Sequence, residues 1–147
     1  MAVLTEEQIL LKDQAQAWVR EEASVTHFRA MRDAAPDGGF DTETWRKMVE
    51  LGWTGIIVPE DFGGSGMDLK TFGVVLEELG RGLTASPLFA SSLVGASALM
   101  IAGSDAQKRE WLPKIANGQA IVTLAVDEGP HHHPAGVALA ASGTGDG

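Results

Sequence analysis

The sequence predicts a mainly α protein: about five helices, then the first strand or two of a truncated β domain. Three observations predict it. Apolar residues recur at helical spacing in five stretches, most of them opened by a capping side chain. Glycines and prolines punctuate the joints between these stretches. Only near residue 120 does the pattern change to a short β-branched run.

The first helix starts at a capping box formed by Thr5 and Gln8, with Leu4 and Ile9 placed to make a hydrophobic staple. Leu11, Ala15, Trp18 and Val19 then share one face. Residues 34–39, Ala-Ala-Pro-Asp-Gly-Gly, read as a loop. Asp41 caps a second helix with Trp45, Met48 and Val49 on its apolar face, and Gly52 ends it. The run Gly55-Ile56-Ile57-Val58 is β-like in composition. Residues 59–66 hold three glycines and a proline in eight positions, so they form a shaped loop.

Asp68 caps a third helix, in which Phe72, Val75, Leu76 and Leu79 follow the i, i+3, i+4, i+7 pattern. Glu77, Glu78 and Arg81 read as its solvated end, joined by i,i+3 and i,i+4 pairs. Ser86-Pro87 opens a fourth helix, small or apolar nearly all round and therefore expected to be buried; Gly103 ends it. Ser104 and Gln107 make a second capping box for a fifth helix carrying Trp111, Leu112 and Ile115, with Pro113 expected to bend it and Gly118 closing it. Trp18, Trp45, Trp53 and Trp111 all read as core aromatics. Ile121, Val122, Thr123 and Val126 mark a strand over 120–126, and Val137 and Leu139 could belong to one more. Residues 142–147 read as a turn. Because one or two strands do not stand alone, the division is a helical domain over 1–118 and the start of a β domain over 119–147.

Composition excludes several function classes. The 147 residues suffice for one domain with a core, and 44% hydrophobic with 21% charged residues is ordinary for a globular protein. A net charge of -9 argues against nucleic acid as a partner, because phosphate binding needs clustered Lys and Arg. The sequence has no cysteine, which removes disulfides, thiolate metal sites and a cysteine nucleophile. No signal peptide is visible, and residues 87–102 are too short and too rich in Ser and Gly to span a bilayer, so a cytoplasmic protein without a membrane role is expected. His131-His132-His133 lacks metal-ligand spacing and reads as a surface loop, so no metal site is assigned. The loop Gly63–Gly66 lacks the Lys and Ser/Thr of a phosphate-binding P-loop and reads as a structural connector.

Three pieces in order carry a family resemblance. Residues 59–66, Pro-Glu-Asp-Phe-Gly-Gly-Ser-Gly, resemble the Pro-Glu-x-x-Gly-Gly-x-Gly loop of acyl-CoA dehydrogenases. Residues 76–81, Leu-Glu-Glu-Leu-Gly-Arg, and residues 107–118 are similar to the family's later blocks of the N-terminal helical domain. The resemblance covers Thr5 to about Glu128 and implies an orthogonal helical bundle leading into a middle β domain. It further implies an FAD-dependent oxidoreductase that removes an α-proton and a β-hydride from an acyl-CoA thioester, in fatty acid or sterol degradation. In most members the carboxylate base lies in a C-terminal helical bundle, so no residue of this chain inherits a catalytic role.

The resemblance also places site residues. It sets Leu124, Val126 and Asp127 at the cofactor-binding segment by position, and Leu88, Phe89, Ser92 and Leu93 on the helix that meets the acyl tail of the acyl-CoA substrate. Composition alone fits that helix equally to core packing. Residues 127–134 depart from the family's Thr-Glu-x-x-x-Gly-Ser-Asp pattern: Glu128 matches, but Asp127 replaces the threonine and the histidines and Pro134 replace the glycine, serine and aspartate. An ionised aspartate only accepts hydrogen bonds, so weak FAD binding through this loop is expected. Three functions follow as expectations: part of an acyl-CoA dehydrogenase, inactive alone; a non-catalytic partner subunit of a heteromeric acyl-CoA dehydrogenase; or a helical interaction domain without ligand. The first two imply a homo- or hetero-oligomer with acyl-CoA dehydrogenase-type subunits.

Overall fold

A computed structural model describes residues 3–140. It is mainly helical: α1 (Glu6–Glu22), α2 (Val25–Ala34), α3 (Thr42–Glu50), α4 (Leu69–Arg81), a π-helical stretch (Phe89–Gly95) that continues into α5 (Ala96–Ala102), and α6 (Asp105–Ala116). Among the described residues none of the helices is long and apolar enough to cross a membrane. The predicted caps form. Thr5 and Ser104 each close a full capping box, with Gln8 and Gln107 returning the bond to the cap amide. Asp41 accepts from the Glu43 amide and Asp68 from the Thr71 amide.

The predicted apolar faces make one core. Ala15 and Val19 of α1, Trp45 and Met48 of α3, Phe72, Val75 and Leu79 of α4, Leu88, and Leu112 and Ile115 of α6 are all buried in it. Trp18 packs edge-on against Trp53 at 5.0 Å between ring centres. The Gly-rich loop is the connector expected of it. It folds back over 55–58, so that the amides of Ser65, Gly66 and Met67 reach the carbonyls of Gly55, Val58 and Ile56 at 2.8–2.9 Å. Gly64 is needed there because a Cβ would collide with the Val58 carbonyl.

Several expectations are corrected. Residues 25–34 form a helix of their own, capped by Ser24, so six α-helices stand where about five were expected. α2 buries no residue fully; Val25, Phe28 and Met31 make a short half-buried face. The β-like run 55–58 belongs to tight turns entered through a short 3-10 helix at Trp53–Gly55. It is apolar because it is fully buried, and burial alone does not distinguish strand from turn. The helix opened by Ser86 buries one face only, since Phe89 and Ile101 stand 57% and 84% exposed. Trp111 is 38% exposed, with the Lys114 ammonium 4.7 Å above its ring, and is not a core aromatic. Glu78 is buried, not solvated: α1 covers it and brings Lys12 to 3.9 Å, while Arg81 Nε lies at 3.2 Å.

No strand forms among the described residues. Residues 121–127 carry the β-branched composition of a strand but have no neighbouring strand to pair with, and a lone strand has no ladder to complete. Val137 and Leu139 likewise follow a short 3-10 turn at Pro134–Gly136 rather than entering a sheet. The turn expected at 142–147 lies outside the described residues.

Candidate functional site

Four candidate residues sit on the helix opened by Ser86. Leu88 is fully buried in the core, so its side chain meets neighbouring helices and not an open pocket. Phe89 is more than half exposed, and Leu93 is partly buried against the core. Ser92 is fully buried, and its Oγ has no hydrogen-bond partner. Leaving a buried hydroxyl unpaired costs on the order of 1–3 kcal/mol, so an orphan of this kind calls for an explanation. The helix is wound as a π-helix from Phe89 to Gly95, a form that is uncommon and concentrates at functional sites.

The second candidate set, Leu124, Val126 and Asp127, follows directly on a contact with that helix. The Val122 amide donates to Ser91 Oγ at 3.1 Å. Val122 also packs against the core, and Gly95 has no room for a side chain because its Cβ would meet the Val122 carbonyl. Upstream, the Ala120 amide donates to the Lys114 carbonyl at 3.0 Å, anchoring the segment to α6. The helix that carries 88–93 and the stretch that leads into 124–127 are thus joined at Val122. Ser91 and Gly95, the two residues that make this junction, belong to the small-residue run of that helix (Ala90, Ser91, Ser92, Gly95, Ala96 and Ser97), whose composition fits an acyl pocket and close packing equally. Nothing in the sequence names Val122 as their partner.

Beyond Val122 the segment is open. Leu124 is 50% exposed and Val126 37%. The Asp127 carboxylate is engaged within its own loop: both oxygens lie 3.1 Å from His132 Nδ1, and Oδ1 also accepts from the His133 amide. Glu128 accepts from the amides of Ala138 and Leu139 at 2.8 Å, folding the following residues back on the loop. No group of three metal-ligating side chains occurs among the described residues. A hollow of about 710 Å³ lies elsewhere, between α1 and residues 51–71, and touches none of the candidates.

The flavin fits these residues poorly. Asp127 offers acceptors and no donor, and those acceptors are already satisfied by its own loop. A carboxylate beside a ring that gains negative charge on reduction is unfavourable at short range. Leu124 and Val126 provide apolar surface but no buried polar cradle.

Comparison with known proteins decides the family. Residues 5–119 match the acyl-CoA dehydrogenase N-terminal domain. The chain belongs to the acyl-CoA dehydrogenase family. It is 35% identical over 123 residues to the acyl-CoA dehydrogenase IpdE2 of Mycobacterium tuberculosis, covering 83% of this chain and 37% of that protein. It is also 35% identical over 127 residues to the (2S)-methylsuccinyl-CoA dehydrogenase of Cereibacter sphaeroides, covering 85% of this chain and 22% of the other. Among solved structures, the ChsE4-ChsE5 complex from Mycobacterium tuberculosis aligns with all of the chain at a TM-score of 0.82 and 30% identity, over 39% of that chain. The match therefore spans well under half the length of these relatives.

Proposed function

We propose that this acyl-CoA dehydrogenase domain supplies one wall of an acyl-CoA site in a flavin-dependent dehydrogenase that desaturates the α,β bond of an acyl-CoA thioester. The observation that carries this reading is the junction at Val122, which ties Ser91 and Gly95, on the helix that carries 88–93, to the stretch that leads into 124–127. Residues 119–147 are then the start of the middle β domain, and the chain works in an oligomer with other acyl-CoA dehydrogenase-type subunits. Supporting this, Phe89, Leu124 and Val126 are exposed apolar side chains of the kind that an acyl tail or a neighbouring domain would cover. On this reading the 147-residue chain alone is inactive, because the family resemblance gives the catalytic base to a C-terminal bundle. Turnover of octanoyl-CoA with an artificial electron acceptor tests this: none from the chain alone, and turnover from the complete dehydrogenase that carries it. Turnover by the chain alone, or none from the complete protein, would reject the reading.

A second reading has its own observation. By the family resemblance Asp127, paired here with His132, stands where a threonine is usual, which favours a partner subunit whose flavin is held by another chain's loop. It predicts about one FAD per two acyl-CoA dehydrogenase-type subunits, read by absorbance and protein content, rather than one FAD per subunit.

A further inference from the structure

We infer that Ser91 and Gly95 are positioning residues: together they fix the register of residues 120–127, and so decide which of those side chains form the second wall of the acyl site. The inference rests on the function proposed above. Neither residue is itself exposed, since both are buried. They act through Val122.

The argument starts from what holds the segment. In its stretch from 120 to 126, two polar contacts tie it to the helices: Ala120 N–H to the Lys114 carbonyl and Val122 N–H to Ser91 Oγ. The first contact tethers one end of the segment, and the second sets its phase. A slip of one residue would move every side chain of the stretch into its neighbour's place. With Val122 seated, Leu124 and Val126 stand 50% and 37% exposed. A slip would place a threonine hydroxyl and a methyl where two branched apolar side chains stand now.

Gly95 enforces the same register by shape. Its missing side chain makes a notch into which the Val122 backbone fits, with the carbonyl carbon 3.0 Å from the position of a Cβ. Ser91 and Gly95 are four residues apart on a helix and present one hydrogen-bond acceptor and one gap to the same residue, Val122. A serine in a regular helix commonly bonds its own preceding turn. Here the Ser91 hydroxyl accepts from across the domain instead, over 31 positions of sequence.

Three substitutions test the inference: Ser91→Ala removes the acceptor, Gly95→Ala fills the notch, and Ser91→Thr keeps the hydroxyl. In the 147-residue chain, amide exchange at Val122 should quicken about fivefold in Ser91→Ala, the size of one neutral hydrogen bond, while exchange at Leu112 and Ile115 stays unchanged. Ser91→Thr should retain most of the protection. In the complete dehydrogenase that carries this chain, Ser91→Ala and Gly95→Ala should raise KM for octanoyl-CoA about fivefold or more with kcat within twofold, and Ser91→Thr should restore KM. A merely structural role would lower the active fraction, and with it kcat, and leave KM alone. Unchanged Val122 exchange in Ser91→Ala, or an unchanged KM when that exchange has quickened, overturns the positioning role and leaves the proposed function standing. A wild-type dehydrogenase that does not turn over octanoyl-CoA or any other acyl-CoA overturns both.

Discussion

At the scale of single residues, Ser92 separates stability from function. A fully buried hydroxyl without a partner is a cost to the isolated domain. Ser92→Ala should therefore leave the chain as stable or up to about 1 kcal/mol more stable in urea unfolding, while acyl-CoA affinity of the complete protein falls. Loss of more than about 1 kcal/mol of stability would show that the hydroxyl is satisfied in solution. Two capping aspartates set the acid limit. The Thr44 hydroxyl, opposed by partial burial and helped by the Glu43 and Thr44 amides, holds the Asp41 carboxyl below its ordinary value. The Thr71 hydroxyl and amide do the same for Asp68. A depressed folded value gives stability that is present above the unfolded value and lost as pH falls through the folded one. The unfolding midpoint should thus be steady above about pH 4 and drop below it, and Asp41→Asn with Asp68→Asn should flatten that drop. An equally steep drop in the double variant would assign it to other carboxylates.

At the scale of elements, the glycine loop is the part most sensitive to a single methyl. Gly64→Ala would drive a Cβ into the Val58 carbonyl and break the packing of the loop on 55–58. Overpacking of this kind costs about 1–3 kcal/mol, so a drop of about 2 kcal/mol in chemical denaturation is expected, and a neutral outcome would mean that the loop is not seated as described. The elements themselves differ in how legible they were. Thr5, Asp41, Asp68 and Ser104 announce helix starts because their side chains do the capping locally, and all four do so. α2 was missed because its stripe is short: Val25, Phe28 and Met31 share one half-buried face of a ten-residue helix and none is fully buried. The run 120–126 was read as a strand from β-branched residues, but a strand is completed by a neighbour, and its pairing is not a property of the segment. Glu78 was read as solvated because an (i, i+3) pair with Arg81 looks the same on a bare helix as under α1. The candidate site was legible as two separate stretches. The Ser91–Val122 junction that joins them was not, because a contact across the fold leaves no spacing signal in the chain.

At the scale of the whole molecule, the proposed reading makes the domain a partial wall rather than a complete site. Its apolar residues are sufficient for a core joining α1, α3, α4, α5 and α6, yet Phe89, Ile101, Leu124 and Leu69 remain open, and Asp127 offers a flavin acceptors and no donor. Both features follow if other domains or subunits complete the site. The net charge of -9 keeps such an open surface soluble but gives it no preference for polyanions. The most direct test is photolabelling of the complete dehydrogenase with an octanoyl-CoA carrying a diazirine at the acyl tail, followed by mapping of the adducts. The account predicts adducts in this chain at 88–93 and 124–126, suppressed by excess octanoyl-CoA. Adducts confined to other parts of the protein, with none in these two stretches, would contradict it.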